Sequence, residues 1–153
     1  MKKILILLAV LAILPLTQLA AQSDGFKVFS FDIGYAPSYN VESADTDSQP
    51  LFGLNIMIGD DLTAGFTYTA LASTTYTLLS LKYQIIDKLK VLVSVGSDGT
   101  DPVSGVGFEY APFTRRYGEY LGTELKLMVE YAFEPGAIDE GRLFFGVALG
   151  VGI

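Results

Sequence analysis

From Arg142 to Ile153 the chain alternates between large apolar residues and small ones, and this period of two constrains the fold more than any other feature. One face carries Leu143, Phe145, Val147, Leu149, Val151 and Ile153, and the other carries Phe144, Gly146, Ala148, Gly150 and Gly152. Successive side chains of a strand point to opposite faces, so the run reads as a strand with one strongly apolar face. The alternation recurs in Lys27–Tyr35, Phe52–Gly59, Leu89–Gly96 and Thr123–Phe133, and less cleanly in Leu62–Leu71, Thr75–Ile85 and Val103–Ala111. That makes eight strands and an all-β chain.

Proline tests this division, because it cannot donate to a ladder. After residue 21 the prolines are Pro37, Pro50, Pro102, Pro112 and Pro135, and all are expected at strand ends or in connections. The connections then alternate in length. Residues 37–50 are long and polar, 97–102 polar, 112–118 moderate and 134–140 polar, whereas 59–61, 72–74 and 86–88 are tight. A weak repeat, Asp24-Gly25-Phe26, Asp60-Asp61-Leu62 and Asp87-Lys88-Leu89, opens three strands running the same way. Its aspartates suit turns by accepting from nearby backbone amides.

The first residues read differently. Lys2 and Lys3 precede an apolar run from Ile4 to Leu14, then Pro15 and the small residues Ala20 and Ala21. A basic start, an apolar stretch and a small-residue site make a secretory signal peptide over residues 1–21, with residues 22–153 as one domain. The run is too short to span a bilayer as a helix, which takes about 20 apolar residues. No later run is long enough either, so a membrane location requires a closed sheet. The chain has no Cys to brace a small secreted domain. Its formal charge is −7, and −9 without Lys2 and Lys3, which argues against nucleic acid as a partner.

The weaker face of each strand decides what surrounds the sheet. A soluble sheet would turn Lys, Glu, Thr and Ser to water there. The last strand instead offers a glycine row, suited to a crowded interior. The charged residues within strands, Asp32, Lys82, Lys90, Glu109, Glu124, Lys126, Glu130 and Arg142, fall on that same face, with both signs represented. Turned inward they form an ionic network in a lumen just wide enough for side chains. Turned to lipid, each Lys would cost about 2–4 kcal/mol at mid-bilayer. The nine tyrosines lie near the proposed connections, as an aromatic belt at two membrane interfaces would place them.

With these features the chain resembles the small outer-membrane β-barrels of double-membrane bacteria, the OmpA/OmpX type, over essentially all of residues 22–153. The resemblance implies an antiparallel up-and-down transmembrane barrel of about eight strands, located in the cell outer membrane and in contact with its lipid. It also implies that the final strand, Leu143, Phe145, Val147, Leu149, Val151 and Ile153, is read by the outer-membrane insertion machinery. Such signals usually end in an aromatic residue, whereas this chain ends in Ile153. With no peptidoglycan-binding domain after the barrel, it is similar to the stand-alone members.

Catalysis has little to work with. There is no His and no Cys, which removes the Ser-His-Asp and Cys-His arrangements and the usual zinc ligand sets. Glu124 and Glu130 share a face but lie about 20 Å apart along a strand. The acidic runs 42–48 and 98–101 lack the glycine and closing glutamate of a calcium loop. Gly105-Val106-Gly107 lies within a strand and is no phosphate loop. The expected protein is therefore non-enzymatic and without cofactor or metal. It would serve a structural role, or meet a surface ligand through residues 37–50, 97–102 and 134–140. Two alternatives remain open at this point: a narrow pore for small solutes, and a secreted lipocalin-like barrel with its apolar face inside around an apolar ligand.

Overall fold

The structure, a computed structural model, describes residues 29–70, 75–117 and 121–153. The expected signal peptide and the boundary at residue 21 lie outside the described residues. Eight strands follow in order: β1 Phe29–Asn40, β2 Thr46–Met57, β3 Leu62–Ala70, β4 Thr75–Ile86, β5 Leu89–Ser97, β6 Pro102–Tyr117, β7 Leu121–Glu134 and β8 Ala137–Gly152. Each pairs antiparallel with the next, and β8 pairs with β1, so the sheet closes into an up-and-down barrel. Phe29 and Ile153 exchange backbone hydrogen bonds of 3.2 and 2.9 Å at the seam. Closure matters because every edge it removes is a row of backbone groups that would otherwise need another partner.

The strands overrun several expected connections. Residues 37–50 are mostly strand, with a turn only at 41–45, and 134–140 contains only the turn at Pro135 and Gly136. Residues 112–117 continue β6. The expected contrast of long and short connections is therefore largely replaced by tall hairpins. Proline misleads here because it was read as a stop. Pro37 lies in β1 where pairing to β8 lapses, between Tyr35↔Val147 and Ser38↔Phe144. Pro50 lies in β2 one residue beyond the last pair with β3, Leu51↔Thr69. Pro112 lies in a bulge between Tyr110 and Phe113, where β6 gains one residue against β7. At each site the missing N–H costs no ladder bond.

The turns use the residues their backbones need. Gly136, with φ 112°, makes the two-residue turn between β7 and β8. Asn40 Oδ1 accepts from the amides of Glu42 and Ser43, and Asp98 Oδ1 from those of Thr100 and Asp101. Among the described residues these side-chain bonds occur at Asn40, Ser97 and Asp98 rather than at the Asp60 and Asp87 of the sequence repeat.

The core sits in the lumen. In the half away from the termini, Tyr76, Leu78, Val103, Ala132 and Phe144 pack together, with the Tyr76 and Phe144 rings edge to face at 4.9 Å. Below them Ala36, Leu51 and Ala148 meet Met128. Tyr76 thus leaves the expected aromatic belt and fills the interior. Tyr35, Tyr39, Tyr68, Tyr83, Tyr110 and Tyr117 are exposed on the outside.

Candidate functional site: a charged lumen within an apolar wall

The outward residues at mid-height run around the barrel as Ile33, Leu54, Phe66, Leu79, Val93, Val106, Val129 and Val147, one from each strand. Cross-strand pairs keep this band continuous: Val93 stands opposite Leu81 on β4 and Val106 on β6. A band of this kind in water would be a large exposed apolar surface, whereas in hydrocarbon it is the solvated one. The strands have 9 to 16 residues, enough to cross a bilayer at the tilt of a barrel, which takes about 9–11. No helix of the described residues is long and apolar enough to cross a membrane. A lipocalin-like protein would reverse the two faces, with charge outside and an apolar calyx inside.

Val93 supplies a direct test of the outer face. It is 54% exposed, and at such a position Val→Arg in a soluble protein changes stability within about 0.5 kcal/mol. In lipid vesicles Val93→Arg is expected to cost about 2–4 kcal/mol, read as a lowered denaturant midpoint. An unchanged midpoint in vesicles would remove lipid from that face.

The inner face carries the charge. Lys82 and Glu109 form an ion pair at 2.5 Å with both side chains buried. Lys126 Nζ donates to both Asp32 oxygens, at 2.9 and 3.0 Å, across the β1–β8–β7 wall. Asn55 Nδ2 donates to the same carboxylate at 2.7 Å and to Ser30 Oγ at 3.2 Å. Glu124 lies 3.9 Å from Lys126. Lys90 stands opposite Glu109 in register, but its ammonium donates to Thr63 Oγ1 at 3.3 Å. Glu130 accepts from the Ser94 hydroxyl. Arg142 lies toward the other end and donates to Asp47 Oδ2 at 3.0 Å and Ser38 Oγ at 3.3 Å.

The eight charged positions read from the sequence therefore divide. Lys82 meets Glu109, and Lys126 meets Asp32 and Glu124. Lys90, Glu130 and Arg142 find partners outside that set. Thr63, Ser94 and Asn55 were missed, although all three alternate onto the inner face of their strands. Asp47 was missed because it had been placed in a loop.

Glycine makes room for these side chains. A Cβ at Gly150 would lie 2.7 Å from Asp32 Oδ1 and 3.0 Å from Lys126 Cε. A Cβ at Gly65 would lie 2.5 Å from Ser80 Oγ and 3.1 Å from Lys82 Cε. The cavity left among Asp32, Lys82, Glu109 and Lys126 is about 10 Å³, room for about one water molecule. Among the described residues no group of acidic side chains is arranged to hold a metal ion. Among the described residues the arrangement holds the charges in place and fills much of the lumen at this level.

No family model and no curated protein matches the chain. Among solved structures, it is similar to the N-terminal β-barrel domain of Pseudomonas aeruginosa OprF, with 14% identity and a TM-score of 0.48 over 81% of this chain and 97% of that one. A de novo designed transmembrane β-barrel gives 17% and 0.47 over 86% and 98%. Ail, the attachment invasion locus protein of Yersinia pestis, gives 15% and 0.43 over 83% and 98%. These are likenesses of strand arrangement; what places this chain is its own pair of faces, apolar outside and ionic within.

Proposed function

We propose that the chain is an integral outer-membrane barrel, non-enzymatic and closed to solutes, which acts as a structural element or presents its hairpin tips to surface ligands. The observation that carries this reading is the joint arrangement of the two faces. Lipid admits a sheet only as a closed barrel, and the apolar band supplies the surface that lipid requires. The ion pairs Lys82–Glu109 and Lys126–Asp32, with the Tyr76–Phe144 cluster beyond them, put side chains into the lumen at two levels, which supports a closed barrel over a pore. A secretory signal at residues 1–21 and insertion through the final strand, Leu143 to Ile153, agree with that destination. The ligand-facing parts in this reading are the tips near 41–45, 98–101 and 135–136 rather than long loops.

Carbonate-washed envelope fractions run boiled and unboiled in mild detergent, followed by planar-bilayer recording, test both halves. The expected result is a membrane-retained band whose mobility shifts on boiling and no steady conductance from the purified protein. A carbonate-released protein without a heat shift would overturn the membrane reading. A stable conductance would overturn the closed lumen.

A further inference from the structure

At the end of the barrel that carries both termini, the β6–β7 hairpin outruns its neighbour. β5 last pairs with β6 at Leu89↔Tyr110, and one more backbone bond joins the Ala111 amide to the Lys88 carbonyl at 2.9 Å. From Pro112 to Tyr117, β6 pairs with β7 alone among the described residues. Phe113 to Tyr117 are all exposed and form a free strand edge about 16 Å long.

Two arguments give this edge a partner. The first rests on the membrane reading above. An open sheet edge is not tolerated in hydrocarbon, so the stretch stands in water beyond the bilayer. There it carries Phe113, 70% exposed, with Tyr117 and Leu121 beside it. The second argument is charge. Lys82, Lys90, Lys126 and Arg142 are spent on partners in the lumen. The remaining described cations are Lys88, Arg115 and Arg116, and all three flank this edge. Lys88 sits in the turn before β5, next to Asp87, and the Arg115 guanidinium lies 5.2 Å from the Tyr117 ring centre. At this end Asp60, Asp61 and Asp87 are exposed beside those cations, whereas the hairpin tips at the other end expose Glu42, Asp45, Asp101, Glu134 and Glu140 and, among the described residues, no cation.

We propose that the β6 edge at Phe113–Tyr117 takes an added strand: an extended acidic peptide segment whose alternate residues divide between the two faces, the apolar ones meeting Phe113 and Tyr117 on the outer face and the carboxylates meeting Arg116 on the opposite one, in the positive field of Lys88 and Arg115. Strand addition supplies main-chain bonds, and alternate side chains supply the choice of partner. The arginines also guard the edge against itself. A second copy would set Arg115 and Arg116 against their like, which opposes pairing between barrels and leaves an acidic strand as the complement.

The test uses the full barrel in dodecylphosphocholine micelles with a labelled eight-residue peptide of alternating Val and Glu. Fluorescence polarisation reads binding, and amide hydrogen exchange reads the edge. The expected result is saturable binding that slows exchange at residues 113–117. Arg115→Ala/Arg116→Ala should weaken it about tenfold while the unboiled electrophoretic mobility stays that of the parent. A Val–Lys peptide should not bind.

The proposal is overturned by binding without slowed exchange at 113–117, or by indifference to the double substitution. It is also overturned if the edge is already protected without peptide, whether by a second copy, seen as a dimer in light scattering, or by the chain's own residues before Phe29 in a monomer. Capture by phosphatidylglycerol nanodiscs that the peptide does not displace would overturn it in favour of a lipid surface. If carbonate releases the protein from membranes and the peptide still binds with slowed exchange, the edge site stands and only the membrane reading fails.

Discussion

Gly150→Lys is expected to leave no heat-shifted, folded barrel at all. Gly150 lies on β8 between β1 and β7, opposite Asp32 on one side and Glu124 on the other. The space next to its Cα is filled by the Asp32 carboxylate and the end of Lys126, at 2.7 and 3.0 Å from where a Cβ would stand. A lysine there would push the carboxylate away from Lys126 and bring a second ammonium against the first. Disrupting a buried pair costs about 3–5 kcal/mol, and overpacking adds about 1–3 more, which together match or exceed the whole stability of many small domains. Gly59→Lys is the control. A Cβ at Gly59 meets only Leu62 Cβ, at 3.9 Å, so the same residue change outside the lumen should keep the heat-shifted band. If Gly150→Lys yields as much shifted band as Gly59→Lys, the lumen is not packed as described.

That result would also show how far the sequence alone reaches. The period of two assigns each residue to a face, so inward placement of Asp32, Lys82, Glu109, Lys126 and Glu130 follows from counting along each strand. Pairing does not follow. Lys126 and Asp32 are 94 residues apart, and they meet because β8 pairs with both β7 and β1; only closure of the sheet and the register of those two ladders bring them together. Between neighbouring strands the register sets the outcome too. Glu109 stands opposite Lys90 and Met128, yet its ion pair is with Lys82, diagonally across β5. Hairpin height was hidden for a different reason. Pro37, Pro50 and Pro112 mark ends only if both sides of a strand are paired at that residue, and here Pro37 sits in a gap of the β1–β8 ladder while Pro50 and Pro112 lie just past the last pair with β3 and β5. Asp47 was assigned to a loop for that reason, and the ion pair with Arg142 was lost with it.

The second large effect is expected at Lys126, where removing charge should hurt more than removing the pair. Lys126→Met keeps most of the side-chain length and takes away the ammonium. Asp32, 4% exposed, then keeps only Asn55 as a donor from its present partners, and Glu124 loses the cation 3.9 Å away. A buried carboxylate stripped of its counter-charge costs about 3–5 kcal/mol, read as a lower urea midpoint for the barrel refolded in lipid vesicles. Asp32→Asn on its own leaves the Lys126 ammonium short of a partner and should also destabilise. The double substitution removes both charges and keeps the shapes. Replacing a whole buried pair by neutral groups is often near neutral, so Lys126→Met/Asp32→Asn should recover most of the loss, giving a coupling energy of about 2 kcal/mol or more between the two sites. Strict additivity would mean that the two side chains do not sense each other in the lumen. The same cycle on Leu127 and Ile33, which face outward from the same two strands, should be additive, because β8 with Val147 and Leu149 stands between them and neither carries a charge.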